Sequence, residues 1–356
     1  MTDLTVIDLF AGCGGMTLGF TAAGYRPVLA VEHDRAAAAT YAANFGGGHV
    51  LAADIAAVAP AAIPPADVII GGPPCQGFST LGARAADDPR NQLWREYLRV
   101  VEHVRPKVFV IENVDRFLSA PEFALLREHT SGYELTTGHL LAADFGVPQR
   151  RKRAFVIGSR VGPVALPTAT HARDSWHGTG AVLAGLPETP AVKQLPDSRT
   201  DLGWGSVPGV FTSTDLHLGR TPTALSLERY RHIPPGGGRF DLPDHLLPRC
   251  WREKRTGTTD VMGRMRWDQP SLTIRTEFYK PEKGQYLHPR QDRPITHWEA
   301  ARLQSFPDDF AWCGTKAEIA RQIGNAVPPR LAEAVATHLR PHLTDEAAAA
   351  PSCALC

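Results

Sequence analysis

Cys75 stands in the run Gly71-Gly72-Pro73-Pro74-Cys75-Gln76-Gly77-Phe78-Ser79. Two glycines and two prolines make a stiff, irregular turn that presents a thiol. A thiol attacks only as thiolate, and its unperturbed pKa of about 8.5 requires a helpful electrostatic neighbour. The competing reading is a small buried cysteine, which a loop so poor in helix and strand formers disfavours. Ile111-Glu112-Asn113-Val114 supplies a carboxylate able to hold or pass a proton, against the plainer reading of a surface glutamate. Gln149-Arg150-Arg151-Lys152-Arg153 gathers four cations. In extended backbone Arg151 and Arg153 face one side and Arg150 and Lys152 the other. One face can serve an active site and the other phosphate, unless the run is only a solvated charge cluster.

A second group of residues suits a nucleotide-type cofactor. Asp8-Leu9-Phe10-Ala11-Gly12-Cys13-Gly14-Gly15 is rich in glycine, which lets a ligand approach the backbone, and a helix N-terminus beyond it favours negative charge. The dinucleotide pattern G-x-G-x-x-G fails, because Thr17 occupies its third glycine position. Glu32 follows Gly12 by 20 residues and can accept from ribose hydroxyls. Asp54 can hold an adenine edge. Spacing alone does not choose between S-adenosylmethionine and NAD.

These residues need a scaffold that brings strand ends together. Residues 4–10, 26–31, 68–70, 108–111 and 154–157 read as buried strands. Residues 15–23, 35–45 and 93–103 read as helices. Alternation of this kind predicts a doubly wound, mostly parallel α/β sheet, with Cys75 and Glu112 at carboxyl ends of strands, where such sheets open a ligand crevice. From about residue 161 periodicity fades and Pro, Gly, Thr and Arg dominate. Helical patterns return at 296–306 and 330–339.

The 356 residues allow two domains, and a hydrophobic share of 43% allows a sizeable core. No apolar run approaches the ~18 residues of a membrane span, and residues 1–10 carry no signal-peptide pattern, so a cytoplasmic protein is expected. The net charge of +1 conceals a bias: residues 145–290 hold 22 Lys and Arg against 13 Asp and Glu. A concentrated basic segment is the footprint of phosphate contacts, or else a solvated basic surface. Cysteines 13, 75, 250 and 313 lack metal-ligand spacing; Cys353 and Cys356 form a C-x-x-C in an Ala-rich tail. No metal is expected.

Taken together, the segments 8–15, 71–79, 111–114, 146–153, 293–307 and 322–329 resemble the bacterial DNA (cytosine-5)-methyltransferase family. The resemblance covers roughly residues 4–160 and 285–340. It implies a Rossmann-like S-adenosylmethionine-dependent catalytic domain over 1–160 plus 291–345, a smaller loop-rich target-recognition domain over 161–290, and a tail over 346–356. Cys75 would attack C6 of cytosine. Glu112 would contact N3 and the exocyclic amine, and Arg153 the base O2 with Arg151 nearby. Phe10, Gly12, Cys13, Gly15, Glu32, His33, Asp54, Ile55, Pro74, Leu93, Asn325 and Val327 would bind S-adenosylmethionine, leaving S-adenosylhomocysteine. Gln76, Ser79 and Gln149 would meet DNA. Arg266 and Arg275 are candidates for reading guanine.

The resemblance also implies a monomer on double-stranded DNA with a cognate restriction endonuclease. Two departures stand out: Trp298 replaces a common arginine, and Cys13 a frequent leucine. Rival readings are an RNA cytosine-5 methyltransferase on the same fold, a catalytically silent DNA-binding homologue, and an NAD-linked dehydrogenase.

Overall fold

The computed structural model describes residues 3–74, 93–253 and 256–344. The chain runs β1 (Thr5–Leu9), α1 (Gly15–Ala22), β2 (Arg26–Val31), α2 (Arg35–Phe45), β3 (Val50–Leu51), β4 (Val68–Gly71), α3 (Leu93–Val104), β5 (Val108–Asn113), α4 (Pro121–His129) and β6 (Glu134–Leu141). It continues through β7 (Gln149–Arg150), β8 (Lys152–Ser159), α5 (Gly180–Leu183), β9 (Arg199–Asp201), β10 (Ser206–Pro208), α6 (Ala224–His232) and α7 (Arg249–Glu253). The last elements are β11 (Ser271–Leu272), α8 (His297–Leu303), α9 (Lys316–Asn325) and α10 (Pro329–Leu343).

Two compact units divide these elements. The first comprises residues 1–141, 152–169 and 329–356; the second, 142–151 and 170–328. The boundaries differ from the expected ones. Residues 291–328 group with the loop-rich region because α8 packs on α5 and α9, and only α10 returns to the sheet unit.

The sheet of the first unit has strand order β3-β2-β1-β4-β5-β8-β6. Pairings from β3 through β5 are parallel, and β8 pairs antiparallel with both β5 and β6. The expected doubly wound, mostly parallel sheet is therefore present. Strand order reverses beside β1, since β2 lies on one side and β4 on the other. Leu9 pairs with Gly71 at their carboxyl ends, so the glycine-rich loop and the loop leading to Cys75 leave the sheet on one rung. That is the switch point where such sheets bind ligands.

Burial explains why these segments are strands and helices. Every residue of β4 and β5 is buried, which suits continuous apolar runs covered on both faces. The α3 helix buries Trp94, Tyr97, Leu98, Val100 and Val101 against the sheet, and the Tyr97 hydroxyl lies 2.9 Å from the Val110 carbonyl. Asp34 caps α2 by accepting from the Ala36 and Ala37 amides. Close contact of α1 with α10 depends on Gly19: a Cβ there would stand 2.4 Å from the Glu333 amide nitrogen and 2.5 Å from the Pro329 carbonyl.

Among the described residues, the second unit has only two-stranded sheets, β7 with β11 and β9 with β10. Capping boxes start α8 (Thr296 with Glu299) and α9 (Thr315 with Glu318). Arg264 is 5% exposed and donates to the carbonyls of Tyr230, Ile233, His288 and Gln291 and to Asp292 Oδ1. Trp298 is nearly buried, donates to Asp308 Oδ1 at 2.7 Å and lies edge-on to His217. The substituted position is thus repacked around an indole. Among the described residues no helix is long and apolar enough to cross a membrane.

Candidate active site

The glycine-rich loop follows β1 through three left-handed residues: Phe10 at φ 59°, Gly12 at 55° and Gly14 at 87°. The first is unusual for an aromatic residue and marks a backbone held by its surroundings. Gly12 has no atom within 4 Å of where a Cβ would stand, so the loop leaves open space above it. Gly14 is needed for the opposite reason, since its Cβ would lie 2.3 Å from the Phe45 ring.

Glu32 directly follows β2 and holds this loop. Its Oε2 accepts from the Gly12 amide at 2.8 Å and its Oε1 from the Asp34 amide at 2.7 Å. A carboxylate oxygen with one donor keeps another acceptor direction, which a ribose hydroxyl can use. His33 is exposed, and its hydrogen bond to Glu32 raises its pKa. Asp54 caps the following short turn through Oδ1 to the Ala56 amide at 3.0 Å, and Arg99 fixes that turn by donating to the Ile55 carbonyl. Phe10, Ile55 and Leu93 belong to one apolar cluster of the first unit. Cys13 is buried, and burial pushes its thiol up to about 12. It therefore packs as an apolar residue.

Beneath the loop, Asp8 is buried and accepts from Thr17 Oγ1 at 2.6 Å. Burial is the main cause that raises its carboxyl to about 7. Nothing in the spacing marks this group, because Asp8 sits inside a strand pattern.

Glu112 and Asn113 close β5. Glu112 is 8% exposed, and its Oε1 lies 3.0 Å from Arg153 Nε. The contact is an ion pair without good hydrogen-bond alignment, since Oε1 has no hydrogen-bond partner. A buried carboxylate with an acceptor to spare suits a substrate N–H donor. Arg153 is also tied back by donating to the Lys152 carbonyl at 2.8 Å. On the neighbouring strand end, a Cβ at Gly72 would be 3.4 Å from Glu112 Oε2, so backbone passes directly beside the carboxylate. Asn113 Nδ2 donates to the Pro73 carbonyl at 2.9 Å. Pro74 is half-buried. Cys75, Gln76 and Ser79 lie outside the described residues.

Gln149 and Arg151 have partners other than those the resemblance implies. Gln149 is fully buried; its amide donates to Gln304 Oε1 at 2.8 Å and accepts from the Ile274 amide at 2.9 Å. Its side chain is enclosed by residues of the second unit. Arg151 is 2% exposed and donates to the carbonyls of Ile274, Gly324 and Asn325. It braces the second unit and fixes the turn bearing Asn325 and Val327, so its role is positioning. The two-faced reading of the basic run survives in burial: Arg150 and Lys152 are exposed, Arg151 buried and Arg153 half-buried. Of the guanine-reading candidates, Arg275 is paired with Asp260, while Arg266 is exposed and lies beside Gly236.

The second unit also contains a cavity of about 440 Å³, lined by residues including Leu218, Arg220, Tyr279, Ile295 and Lys316. None of the expected site residues lines it.

A sequence profile described as C-5 cytosine-specific DNA methylase matches residues 4–340. Type II methyltransferase M1.HphI of Haemophilus parahaemolyticus is 36% identical over 94% of this chain and 86% of its own. Type II methyltransferase M.XorII of Xanthomonas oryzae is 34% identical over 94% and 84%. A solved structure named as a DNA modification methyltransferase encoded within an E. coli prophage is 28% identical. It covers 96% of this chain and 99% of its own, with a TM-score of 0.74. Dnmt2 of S. pombe, at 20% identity and TM-score 0.61, shares the fold.

Proposed function

The chain belongs to the C-5 cytosine-specific DNA methylase family, and on that premise we propose how its residues methylate cytosine in duplex DNA. The family uses S-adenosylmethionine, which supplies an electrophilic methyl group when bound. The loop geometry fits that molecule. Open space over Gly12, Glu32 fastened to the loop amide, and the apolar wall of Phe10, Ile55 and Leu93 offer room, a ribose partner and a surface for a flat ring. Asp54 stands ready for the adenine edge.

The observation that carries the reading is the buried Glu112–Arg153 pair beside the Gly72 backbone, three residues before Cys75. C5 of cytosine is a poor nucleophile while its ring is aromatic. Attack of the Cys75 thiolate on C6 makes C5 enamine-like and able to take a methyl group. Loss of the C5 proton and expulsion of the thiolate then restore the ring. Dividing one hard step this way is nucleophilic catalysis. Glu112 holds N3 and the exocyclic amine, and Arg153 the O2, as charge moves through the ring. Asn113 keeps Pro73, and so the start of the cysteine loop, in place. Because a duplex hides C6, the base is flipped out at a cost of a few kcal/mol (about) repaid in the pocket.

The basic second unit grips phosphates and reads base edges. The type II relatives suggest a partner endonuclease cutting the same sequence. The test is bisulfite sequencing of DNA from a methylation-free host that expresses the protein, with Cys75→Ala as control. Methylated cytosines in one short context, absent in the control, are expected. Their absence from the host's DNA, with the protein folded and binding cofactor, would transfer the reading to an RNA substrate or to a catalytically silent DNA-binding homologue.

A further inference from the structure

Phe240 is 52% exposed, more than any other large hydrophobic side chain among the described residues that are exposed. It is not loosely attached. Arg239 is 8% exposed, and its guanidinium carbon lies 4.6 Å from the Phe240 ring centre and 5.7 Å from that of Trp251. The guanidinium donates to the Thr256 carbonyl at 2.9 Å, and its Nε has no hydrogen-bond partner. A buried cation of this kind is costly unless it is matched; here two aromatic rings flank it.

The backbone is equally fixed. The Arg239 amide donates to the Val261 carbonyl and the Gly238 amide to Asp241 Oδ2. Gly236 is left-handed at φ 82°. A Cβ on Gly237 would stand 2.6 Å from Asp241 Oδ2, and one on Gly238 2.9 Å from the Thr259 carbonyl. A small apolar core of Tyr230, Ile233, Leu242, Met262 and Leu287, with Trp251 against it, lies under the loop. Arg266 flanks it at Gly236.

A rigid aromatic face in water, backed by a cation and set in a basic segment, suits a flat, electron-rich partner with phosphates around it. We propose that Phe240 is a stacking platform for a DNA base, with Arg239 as the positioning residue that locks the ring. The inference rests on the reading of the second unit as the DNA reader, and it assigns that unit a contact made through a base face and not through a base edge.

The test uses the full-length protein and a short duplex carrying the methylated sequence mapped by bisulfite sequencing, with affinity measured across a salt series. Phe240→Ala should weaken binding roughly tenfold, as loss of one base–aromatic stack does. The slope of log affinity against log salt should stay unchanged, because no phosphate contact is lost. Phe240→Trp should bind within about twofold of wild type, and Phe240→Leu should behave like the alanine variant. Thermal unfolding should fall by no more than a few degrees in the alanine and leucine variants, since the lost ring is half exposed and Trp251 still flanks Arg239. Alanine binding within twofold of wild type, a changed salt slope, or rescue by leucine would each overturn the stacking role. Failure of the wild-type protein to methylate any duplex would instead overturn the functional reading itself.

Discussion

The sheet unit and the loop-rich unit satisfy their backbones by different means. In the first, four parallel and two antiparallel strand pairings pair the backbone in one sheet, and side chains are left to pack or react. In the second, no strand exceeds three residues. Buried main-chain carbonyls need donors wherever a ladder is missing. Arg151, Arg264 and Gln149 supply them from side chains. Polar residues in the first unit are thus free for chemistry, while many polar residues in the second are structural.

Substitutions can break that contrast. Arg264→Leu should cost the most, about 3–5 kcal/mol, because it strands Asp292 and four carbonyls at once. The loss should appear in chemical denaturation and as faster hydrogen exchange in residues 228–293. Glu112→Gln should leave stability and DNA affinity nearly intact while cutting turnover at least ~100-fold, the range of an aligned proton partner. Equal losses in single-turnover rate and affinity would make Glu112 structural, and the contrast would fail in the first unit. Gly19→Ala should cost about 1–3 kcal/mol by overpacking α1 against α10, read as a lowered melting temperature.

The smallest effect concerns pH. Burial pulls His288 and His297 down to about 4, from 6.5. The unfolded chain then takes up protons that the folded second unit refuses, so stability present above pH 6.5 is lost as pH falls towards 4. Asp8 works in the opposite sense. Burial raises it from 3.8 to about 7, so its contribution is fully present below pH 3.8 and is lost as pH rises through 7. Hydrogen exchange followed by peptide should show the fall from pH 6.5 to 4 loosening the second unit while it tightens peptides around β1. A uniform response in both units would refute the assignment.

Much of the first unit was legible because periodicity and turn chemistry agree there. The expected helices at 15–23, 35–45 and 93–103 match α1, α2 and α3 within a residue. The strand β6 escaped notice: Gly138 interrupts it, and only Leu140 is fully buried, so it lacks both alternation and an apolar run. The helix α9 was likewise not drawn, although Thr315 and Glu318 carry a capping signature. Glu32 at the glycine loop and Glu112 at a strand end could be placed from spacing, because a parallel sheet fixes where strand ends go. Gln149 and Arg151 could not. A run of cations reads as a surface, and only the fold shows that carbonyls from residues 274, 324 and 325 converge on Arg151. Arg264 was hidden for the same reason.

Four of the five acceptors that Arg264 holds are main-chain oxygens, which every amino acid carries. The half-buried side chain at 291 can therefore be exchanged without releasing the backbone from that grip, whereas the buried His288 ring also accepts from the amides of residues 290 and 291. A surface mounted this way can be rewritten one residue at a time, by descent or by design, and can acquire new preferences while its frame stays the same.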